Sequence, residues 1–263
     1  MTHIHTETYG QGKPIVMIHG WGMHTGIWRP FVESLARHCR VTCVDLPGHG
    51  RSGKISVFDL EHLGSTLLAA VGEDPACWLG WSLGATVALD IASRFPERVD
   101  RLILLAGNPR FTRTHDAADS PEHWPGVSPR ILDAFASQLT EDAQQTLLRF
   151  LALQVHSLPD TKALLKTLKT AVFECGPPDI ESLLQGLHIL KEADLRPALA
   201  ALDRPISAIV GGRDTLVPHA VGAHLQHLQP IVQLHLLEKS GHVPFLTHQE
   251  QLIAIISAFM ELR

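Results

Sequence analysis

Three residue types that together perform nucleophilic catalysis stand at separate places along this chain of 263 residues. Ser82 lies in "GWSLG" (residues 80–84), which matches the pattern G-x-S-x-G, whereas Asp214 stands in "GGRDTLVP" and His242 in "SGHVPF". A serine hydroxyl is a weak nucleophile at neutral pH, so a histidine must accept its proton and a carboxylate must orient that histidine. The order serine, acid, histidine therefore predicts a catalytic triad.

Each of these motifs also has a purely structural interpretation. The segment 80–84 is typical of a glycine-rich turn whose serine caps the next helix, and Asp214 is equally suited to cap the helix after it. One histidine among 17 is weak evidence by itself. Chain order favours catalysis, because His242 lies in the loop that follows the last predicted strand and precedes the final predicted helix.

The elements around Ser82 explain its two flanking glycines. A predicted strand ends just before Ser82 and a predicted helix begins just after it. Such a sharp turn forces the serine into a strained backbone conformation and exposes its hydroxyl. Gly80 and Gly84 are needed because a Cβ at either position would collide with the neighbouring strand and helix.

Two backbone N–H groups are predicted to stabilise an oxyanion. The turn directs the N–H of Leu83, at the start of a helix, towards the reacting carbonyl. The loop "IHGWG" (residues 18–22) follows the first long strand, and we expect the N–H of Trp21 to be the second donor. The alternative for residues 18–22 is a plain β-turn.

Apolar runs alternate with amphipathic segments over much of the chain. Runs rich in valine, isoleucine and leucine are typical of parallel strands that are buried on both faces. The alternation predicts an α/β fold with a doubly wound, mostly parallel sheet. The predicted strands are residues 14–20, 40–46, 76–80, 101–107, 205–212 and 232–238, and the helices between them are 27–38, 59–71, 83–94, 218–228 and 249–262.

The alternation stops in the middle of the chain. Residues 129–139, 141–155, 161–173 and 180–190 show helical patterns without an intervening strand. We therefore predict a core formed by residues 1–108 and 193–263, interrupted by a helical lid at residues 109–192. Such an insertion is expected to cover the carboxyl ends of the strands, where ligands bind.

Composition excludes several classes of protein. The formal net charge of −5 argues against a dedicated nucleic-acid-binding protein, which is usually basic. The 17 histidines include no H-E-x-x-H spacing, so we expect neither a metal nor another cofactor.

The chain also lacks the signals of export and membrane insertion. Its N-terminus has neither the basic start nor the apolar run of a signal peptide. The most apolar stretch, residues 77–92, is interrupted by polar residues and is too short to span a bilayer. Four scattered cysteines without a C-x-x-C pair are expected to be reduced thiols, so we expect a cytoplasmic protein. We also expect the protein to be a monomer.

The chain resembles the α/β-hydrolase superfamily throughout. The segments "HGWG", "DLPGHGRS" (residues 45–52), "GWSLGA", "GGRDTLVP" and "SGHVPF" are similar to that superfamily's motifs. More narrowly, it resembles the family of pimeloyl-(acyl-carrier protein) methyl ester esterases of biotin biosynthesis. "VDLPGHGRS", "WLGWSLG" and the lid segments "RFLALQ" (residues 149–154) and "GLHILKEADLR" (residues 186–196) carry this narrower resemblance.

The resemblance implies roles for residues in the core and in the lid. It implies the triad Ser82, Asp214 and His242, and a carrier-protein contact at Arg149. It also implies docking positions at Lys162 and Lys166, where that family has arginines, whereas Gln145 replaces a further arginine. The implied substrate contacts are Trp21, Ser82, Leu83, Phe150, Leu151, Ala152, Leu153, Gln154 and His242.

Charge in the lid agrees with a carrier protein as partner. Lys162, Lys166 and Lys169 share one face of a predicted helix, although the chain is acidic overall. The alternative is an ordinary solvated helix face. With the family resemblance we favour a docking surface for an acidic carrier, which would raise the association rate and weaken with salt.

We therefore predict a serine carboxylesterase that releases methanol from the methyl ester of pimeloyl-(acyl-carrier protein). A broad short-chain carboxylesterase with the same triad is the nearest alternative. A carbon–carbon bond hydrolase and a ligand receptor without turnover are further alternatives on the same fold. Neither a nucleic acid nor a membrane is expected as a partner.

Overall fold

A single seven-stranded sheet organises the computed structural model, which describes residues 2–114, 123–156 and 158–262. The strands lie in the order β1-β3-β2-β4-β5-β6-β7. Strand β1 is antiparallel to β3, and every other pairing is parallel. The strands are β1 (Thr6–Tyr9), β2 (Pro14–Ile18), β3 (Arg40–Val44), β4 (Ala76–Trp81), β5 (Val99–Leu105), β6 (Ile206–Gly211) and β7 (Val232–Leu237).

Hydrophobic patterning explains why these segments form a sheet that is covered on both faces. Every residue of β4 and β6 is buried. Continuous burial of this kind requires helices on both faces of a parallel sheet. The helices are α1 (Arg29–Leu35), α2 (Leu60–Ala70), α3 (Leu83–Arg94), α4 (Pro129–Glu141), α5 (Ala143–Gln154), α6 (Thr161–Phe173), α7 (Ile180–Glu192), α8 (Arg196–Ala201), α9 (Val221–Leu228), α10 (Pro244–Thr247) and α11 (Gln249–Met260).

Five of these helices, α4 to α8, lie between the end of β5 and the start of β6. Within the described part of this region the only β-structure is an isolated bridge between Thr112 and Val127. The four predicted lid helices correspond to α4, α5, α6 and α7. Residues 115–122 and 157 of the predicted lid lie outside the described residues, and the boundaries at 109 and 192 stay predictions.

The structure confirms the predicted α/β-hydrolase fold class and adds elements that the sequence did not reveal. Strand β1 is only four residues long and reads "TETY", so it has no apolar run. Helix α8 has six residues and starts with Arg196-Pro197. Both elements are too short for periodicity to show. None of the described helices is long and apolar enough to cross a membrane.

Candidate active site

Ser82 occupies the sharp turn between β4 and α3. Its backbone has φ +56° and ψ −118°, a conformation that side-chain-bearing residues rarely adopt. The Ser82 side chain makes no capping hydrogen bond to α3. The structure therefore does not support the alternative of a helix-capping serine. The turn leaves the Ser82 hydroxyl free of any bond to the helix.

The two glycines of the motif allow this turn to pack. A Cβ at Gly80 would overlap the backbone of Gly84 and Ala85, which lie in the first turn of α3. A Cβ at Gly84 would overlap the carbonyl oxygens of Ile18 and His19, at the end of β2. Both positions therefore require glycine because backbone approaches backbone, as the sequence predicted.

Asp214 and His242 form a buried pair on neighbouring loops. Asp214 follows β6 and His242 follows β7, and their side chains are joined by a 2.8 Å hydrogen bond between Oδ2 and Nδ1. The other carboxylate oxygen of Asp214 accepts the N–H groups of Leu216 and Val217 at 2.8 and 3.0 Å. Helix α9 begins only at Val221, so Asp214 fixes its own loop and the imidazole and caps no helix.

The remaining polar atoms of the serine and the histidine have no partner. Ser82 Oγ and His242 Nε2 are both buried, and neither makes a hydrogen bond within the described residues. Because Asp214 holds Nδ1, the nitrogen left to accept a proton is Nε2. An unpaired hydroxyl and an unpaired imidazole nitrogen in the interior cost free energy, which is typical of groups that act on a substrate.

Trp81 fixes the loop that contains His242, a role that the sequence did not predict. Its indole N–H donates a 2.8 Å hydrogen bond to the carbonyl oxygen of His242. The same ring packs edge-on against Phe245, with 4.8 Å between ring centroids. The residue before Ser82 thus positions the backbone of His242, through a contact that spans 161 residues of sequence.

The loop after β2 forms the second side of the site. The N–H of Met23 donates to the carbonyl of Gly20 at 3.2 Å, which closes a turn with Trp21 and Gly22 at its centre. Gly22 has φ +73°, which favours glycine. Within the described residues, the N–H groups of Trp21 and Leu83 make no hydrogen bond, so both are available to an incoming oxyanion.

Two buried polar residues fix this loop against the loop that follows β3. Nε2 of His19 accepts the N–H of Leu46 at 2.9 Å, and Nδ1 donates to the carbonyl of Gly20 at 2.8 Å. Asp45 accepts the N–H groups of Thr25 and Arg51. The segments "HGWG" and "DLPGHGRS" therefore support each other through these hydrogen bonds.

The lid segment "RFLALQ" lies on α5, and its residues face different directions. Phe150 is buried and its ring meets the Trp21 ring edge-on, with 4.7 Å between centroids. Leu151 and Gln154 are also buried, and Gln154 Oε1 has no partner within the described residues. Leu153 is half-buried and Ala152 is exposed. The structure thus brings Phe150 to the loop that contains Trp21 and leaves Ala152 at the surface.

The predicted carrier-docking residues are exposed on two lid helices. Arg149 lies on α5 and donates to Gln138 Oε1 at 2.9 Å. Lys162, Lys166 and Lys169 lie on α6, and none of them pairs with a carboxylate of the described chain. These three lysines form the α6 basic face, which is available to an acidic partner.

Comparison with known proteins places this chain in a family. The family model described as "alpha/beta hydrolase fold" matches residues 13–249. Proteins named pimeloyl-(acyl-carrier protein) methyl ester esterase are 42% identical in Methylococcus capsulatus, over 97% of each chain, and 41% identical in Vibrio parahaemolyticus, over 99% of each chain. A protein of that name from Salmonella newport is 39% identical over 94% of each chain.

Solved structures of lower identity share the fold. An esterase from Exiguobacterium antarcticum has a TM-score of 0.87 at 22% identity, covering 99% of this chain and 96% of that one. An enol-lactonase from Burkholderia xenovorans has a TM-score of 0.83 at 20% identity, covering 99% and 97%. The chain belongs to the alpha/beta hydrolase family and, within it, to the family of proteins named pimeloyl-(acyl-carrier protein) methyl ester esterase.

Proposed function

We propose that the chain is a serine carboxylesterase that hydrolyses the methyl ester of pimeloyl-(acyl-carrier protein), a step in biotin biosynthesis. The observation that carries the proposal is the buried Asp214–His242 pair, together with the unpaired Ser82 Oγ and His242 Nε2. The names of full-length relatives at about 40% identity supply the substrate class.

The residues support a two-stage mechanism. His242 accepts the proton of Ser82 as the serine oxygen attacks the ester carbonyl, and Asp214 stabilises the imidazolium that forms. The N–H groups of Trp21 and Leu83 hold the oxyanion of the tetrahedral intermediate. His242 then protonates the departing methoxide, which leaves as methanol, and an acyl-enzyme remains on Ser82.

The second stage repeats the same proton transfers with water. His242 removes a proton from a water molecule, and the resulting hydroxide attacks the acyl carbon. The intermediate collapses with return of the proton to Ser82, and the free carboxylate leaves. No step requires an added cofactor.

Purified protein tests the activity directly. We expect it to release methanol from pimeloyl-(acyl-carrier protein) methyl ester, with the carrier thioester left intact, as mass spectrometry of the carrier detects. Ser82→Ala should lose more than about 10⁴-fold in kcat, because the nucleophile is absent. Equal methanol release by wild type and Ser82→Ala would contradict the proposal.

A second comparison separates this esterase from the broad short-chain carboxylesterase. The same methyl ester carried on a short thiol instead of the carrier protein is expected to react with a lower kcat/KM. Equal kcat/KM for both substrates would favour the broad enzyme. Growth of a biotin auxotroph that lacks its own methyl esterase gives an independent readout, with Ser82→Ala as the negative control.

Carrier docking on the α6 basic face is part of the proposal. Its support is a cluster of unpaired lysines in a chain of net charge −5. We expect Lys162→Gln, Lys166→Gln and Lys169→Gln together to lower kcat/KM for the carrier substrate by about tenfold at low salt. The difference should shrink at about 0.5 M salt, where the Debye length is only a few ångströms.

The docking test needs two controls. Lys239→Gln removes an exposed lysine outside the lid and should leave the carrier reaction unchanged. A small model ester should react equally with the triple variant and the wild type. A triple variant that reacts normally with the carrier substrate at low salt would contradict docking on this face.

The proposal also includes the cellular location and the oligomeric state of the protein. A cytoplasmic monomer is consistent with the cysteines, all four of which lie in the described part of the chain and none of which forms a disulfide. Size-exclusion chromatography with light scattering tests the monomer, and cell fractionation tests the location.

A further inference from the structure

Gly186 is a helix-interior glycine in a lid segment to which the proposed mechanism assigns no role. It lies in the middle of α7, and it is buried. Glycine is the poorest helix former after proline, so an interior glycine usually reflects a local packing requirement. The question is therefore what the missing side chain makes room for.

The space beside Gly186 is occupied by the two residues that carry the candidate oxyanion donors. A Cβ at Gly186 would lie 2.8 Å from Trp21 Cδ1, 3.2 Å from Trp21 Nε1 and 3.4 Å from Leu83 Cδ2. Carbon atoms in contact prefer a separation of about 3.5–4.0 Å. An alanine side chain would therefore push against the Trp21 indole.

The indole uses the space to reach the helix backbone. Trp21 Nε1 donates a 2.8 Å hydrogen bond to the carbonyl oxygen of Leu183, which lies within α7. Residues 183 and 186 lie on the same helix face because they are three positions apart. A side chain at 186 would therefore stand where the indole approaches that carbonyl.

Helix α5 holds the same turn from another side. The Phe150 ring packs edge-on against the Trp21 ring, and Leu147 Cδ2 lies 2.9 Å from the position of a Cβ on Gly22. The turn that contains the Trp21 N–H is therefore enclosed by side chains and backbone of the lid. The position of this turn depends on how closely α7 approaches the Trp21 ring.

We propose that Gly186 is a positioning residue of the lid, which seats the Trp21 indole on α7 and thereby aims the Trp21 N–H at the oxyanion. The inference rests on the proposed function, in which that N–H is an oxyanion donor. It makes lid packing a requirement for the chemical step as well as for covering the substrate.

The substitution Gly186→Ala tests the proposal on the full-length protein with p-nitrophenyl acetate, a small ester that does not need the carrier. We expect kcat to fall about 10-fold to 100-fold with KM changed less than about twofold, because a displaced oxyanion donor acts mainly in the transition state. Affinity for phenylboronic acid, a tetrahedral analogue, should fall with kcat.

A purely structural role for Gly186 predicts a different result. If the glycine only makes room for the indole, Gly186→Ala should lower the stability of the lid, whereas the folded protein should keep the wild-type kcat and the wild-type affinity for phenylboronic acid. Gly64→Ala is the matched control, because Gly64 lies within α2 and the atom nearest to its new Cβ would be Ile91 Cγ1, at 3.3 Å. We expect the control to retain the wild-type kcat.

A double variant keeps the test decisive if Gly186→Ala is poorly folded. Trp21→Leu removes the ring atoms that the new Cβ would meet. In that background Gly186→Ala should change kcat by less than about twofold, whereas independent effects would multiply. A full additional loss in the Trp21→Leu background would overturn the proposal.

The outcomes also separate this inference from the proposed function. A wild-type protein that hydrolyses the ester through Ser82, with Gly186→Ala equally active, overturns the inference alone. A wild type no faster than Ser82→Ala overturns the proposed function itself, and the inference with it.

Discussion

Backbone strain at Ser82 links local structure to chemistry. A non-glycine residue with φ +56° costs about 1–3 kcal/mol. The turn persists because β4 and α3 are buried and because Gly80 and Gly84 let them approach closely. The strained turn leaves the Ser82 hydroxyl without a hydrogen-bond partner among the described residues.

Asp214 is the residue whose role a nearly isosteric change tests best. Asp214→Asn keeps an oxygen for the Leu216 and Val217 N–H groups but turns an amide towards His242 Nδ1. That amide favours the wrong imidazole tautomer, so we expect kcat to fall about 10³-fold to 10⁴-fold. Steady-state hydrolysis of p-nitrophenyl acetate measures the loss.

Stability must be followed in the same experiment. Asp203→Asn is the control, because the Asp203 side chain is 90% exposed. Thermal unfolding should show the Asp214→Asn protein folded at the assay temperature. An Asp214→Asn protein within about tenfold of the wild-type kcat would show that Asp214 does not orient the catalytic base.

The motifs and their order along the chain predict the candidate triad, whereas tertiary contacts determine which residues support it. Ser82, Asp214 and His242 each follow a strand, so a parallel sheet brings them to one edge. The bonds from Trp81 to the His242 carbonyl and from Trp21 to α7 join residues more than 160 positions apart. Periodicity carries no signal for such contacts.

At the scale of elements, strands and helices were predictable where their apolar runs are long. The predicted helices at 83–94 and 161–173 match α3 and α6. Strand β1 was missed because it is a four-residue strand at the sheet edge, and its sequence "TETY" contains no apolar run. The short 3₁₀ helix Thr25–Trp28, which replaces the start of the predicted helix at 27–38, depends on the His24 side chain as its cap.

An ion-pair cluster ties the start of the lid to its end. Arg110 follows β5, and it pairs with Asp194, which lies just after α7, at 2.7 Å. Arg196 at the start of α8 binds the same carboxylate at 2.6 Å, and its guanidinium also lies 5.4 Å from the centroid of the Trp124 ring. The cluster therefore joins the two ends of the described lid where they meet the core.

Asp194→Asn tests the contribution of this cluster. The hydrogen bond from Arg196 lowers the pKa of Asp194 to about 2, so the charged carboxylate stabilises the fold above the ordinary aspartate range. After allowing for solvent screening of a partly exposed group, we expect the variant to lose about 1–2 kcal/mol of unfolding free energy at pH 7. Urea unfolding measures this difference.

The pH dependence identifies the carboxylate as the cause. Because the folded pKa is depressed, the contribution of Asp194 is complete above about pH 5 and disappears as the pH falls through 4 towards 2. The unfolding free energies of wild type and Asp194→Asn should therefore converge in that window. A difference that stays constant down to pH 2 would assign the loss to packing instead.

At the scale of the whole molecule, two buried histidines join the loops that follow β2 and β3. The rings of His19 and His49 are fully buried, with 5.5 Å between centroids. Burial lowers the pKa of His19 to about 3, and His49 next to it adds to that effect. Burial also lowers the pKa of His49. Both side chains are therefore neutral in the folded protein near neutral pH.

Neutral buried histidines make global stability depend on pH. The unfolded chain binds protons at these side chains below about pH 6.5, whereas the folded protein does not. Stability is therefore complete above about pH 6.5 and falls as the pH falls towards 3, by up to about 1.4 kcal/mol per pH unit for His19. The lowered pKa of His49 acts in the same direction. We expect urea unfolding of the wild type to show this decline between pH 6 and pH 4, before most carboxylates titrate.

His19→Gln separates this linkage from other acid effects. The glutamine oxygen can replace Nε2 as acceptor of the Leu46 N–H, but the side chain cannot be protonated in this range. The variant should be less stable than the wild type at pH 7.5, because the bond to the Gly20 carbonyl is lost. Its stability should nevertheless fall less steeply, by about 1.4 kcal/mol per pH unit, between pH 6 and pH 4. Parallel curves for the two proteins would show that His19 takes no part in acid unfolding.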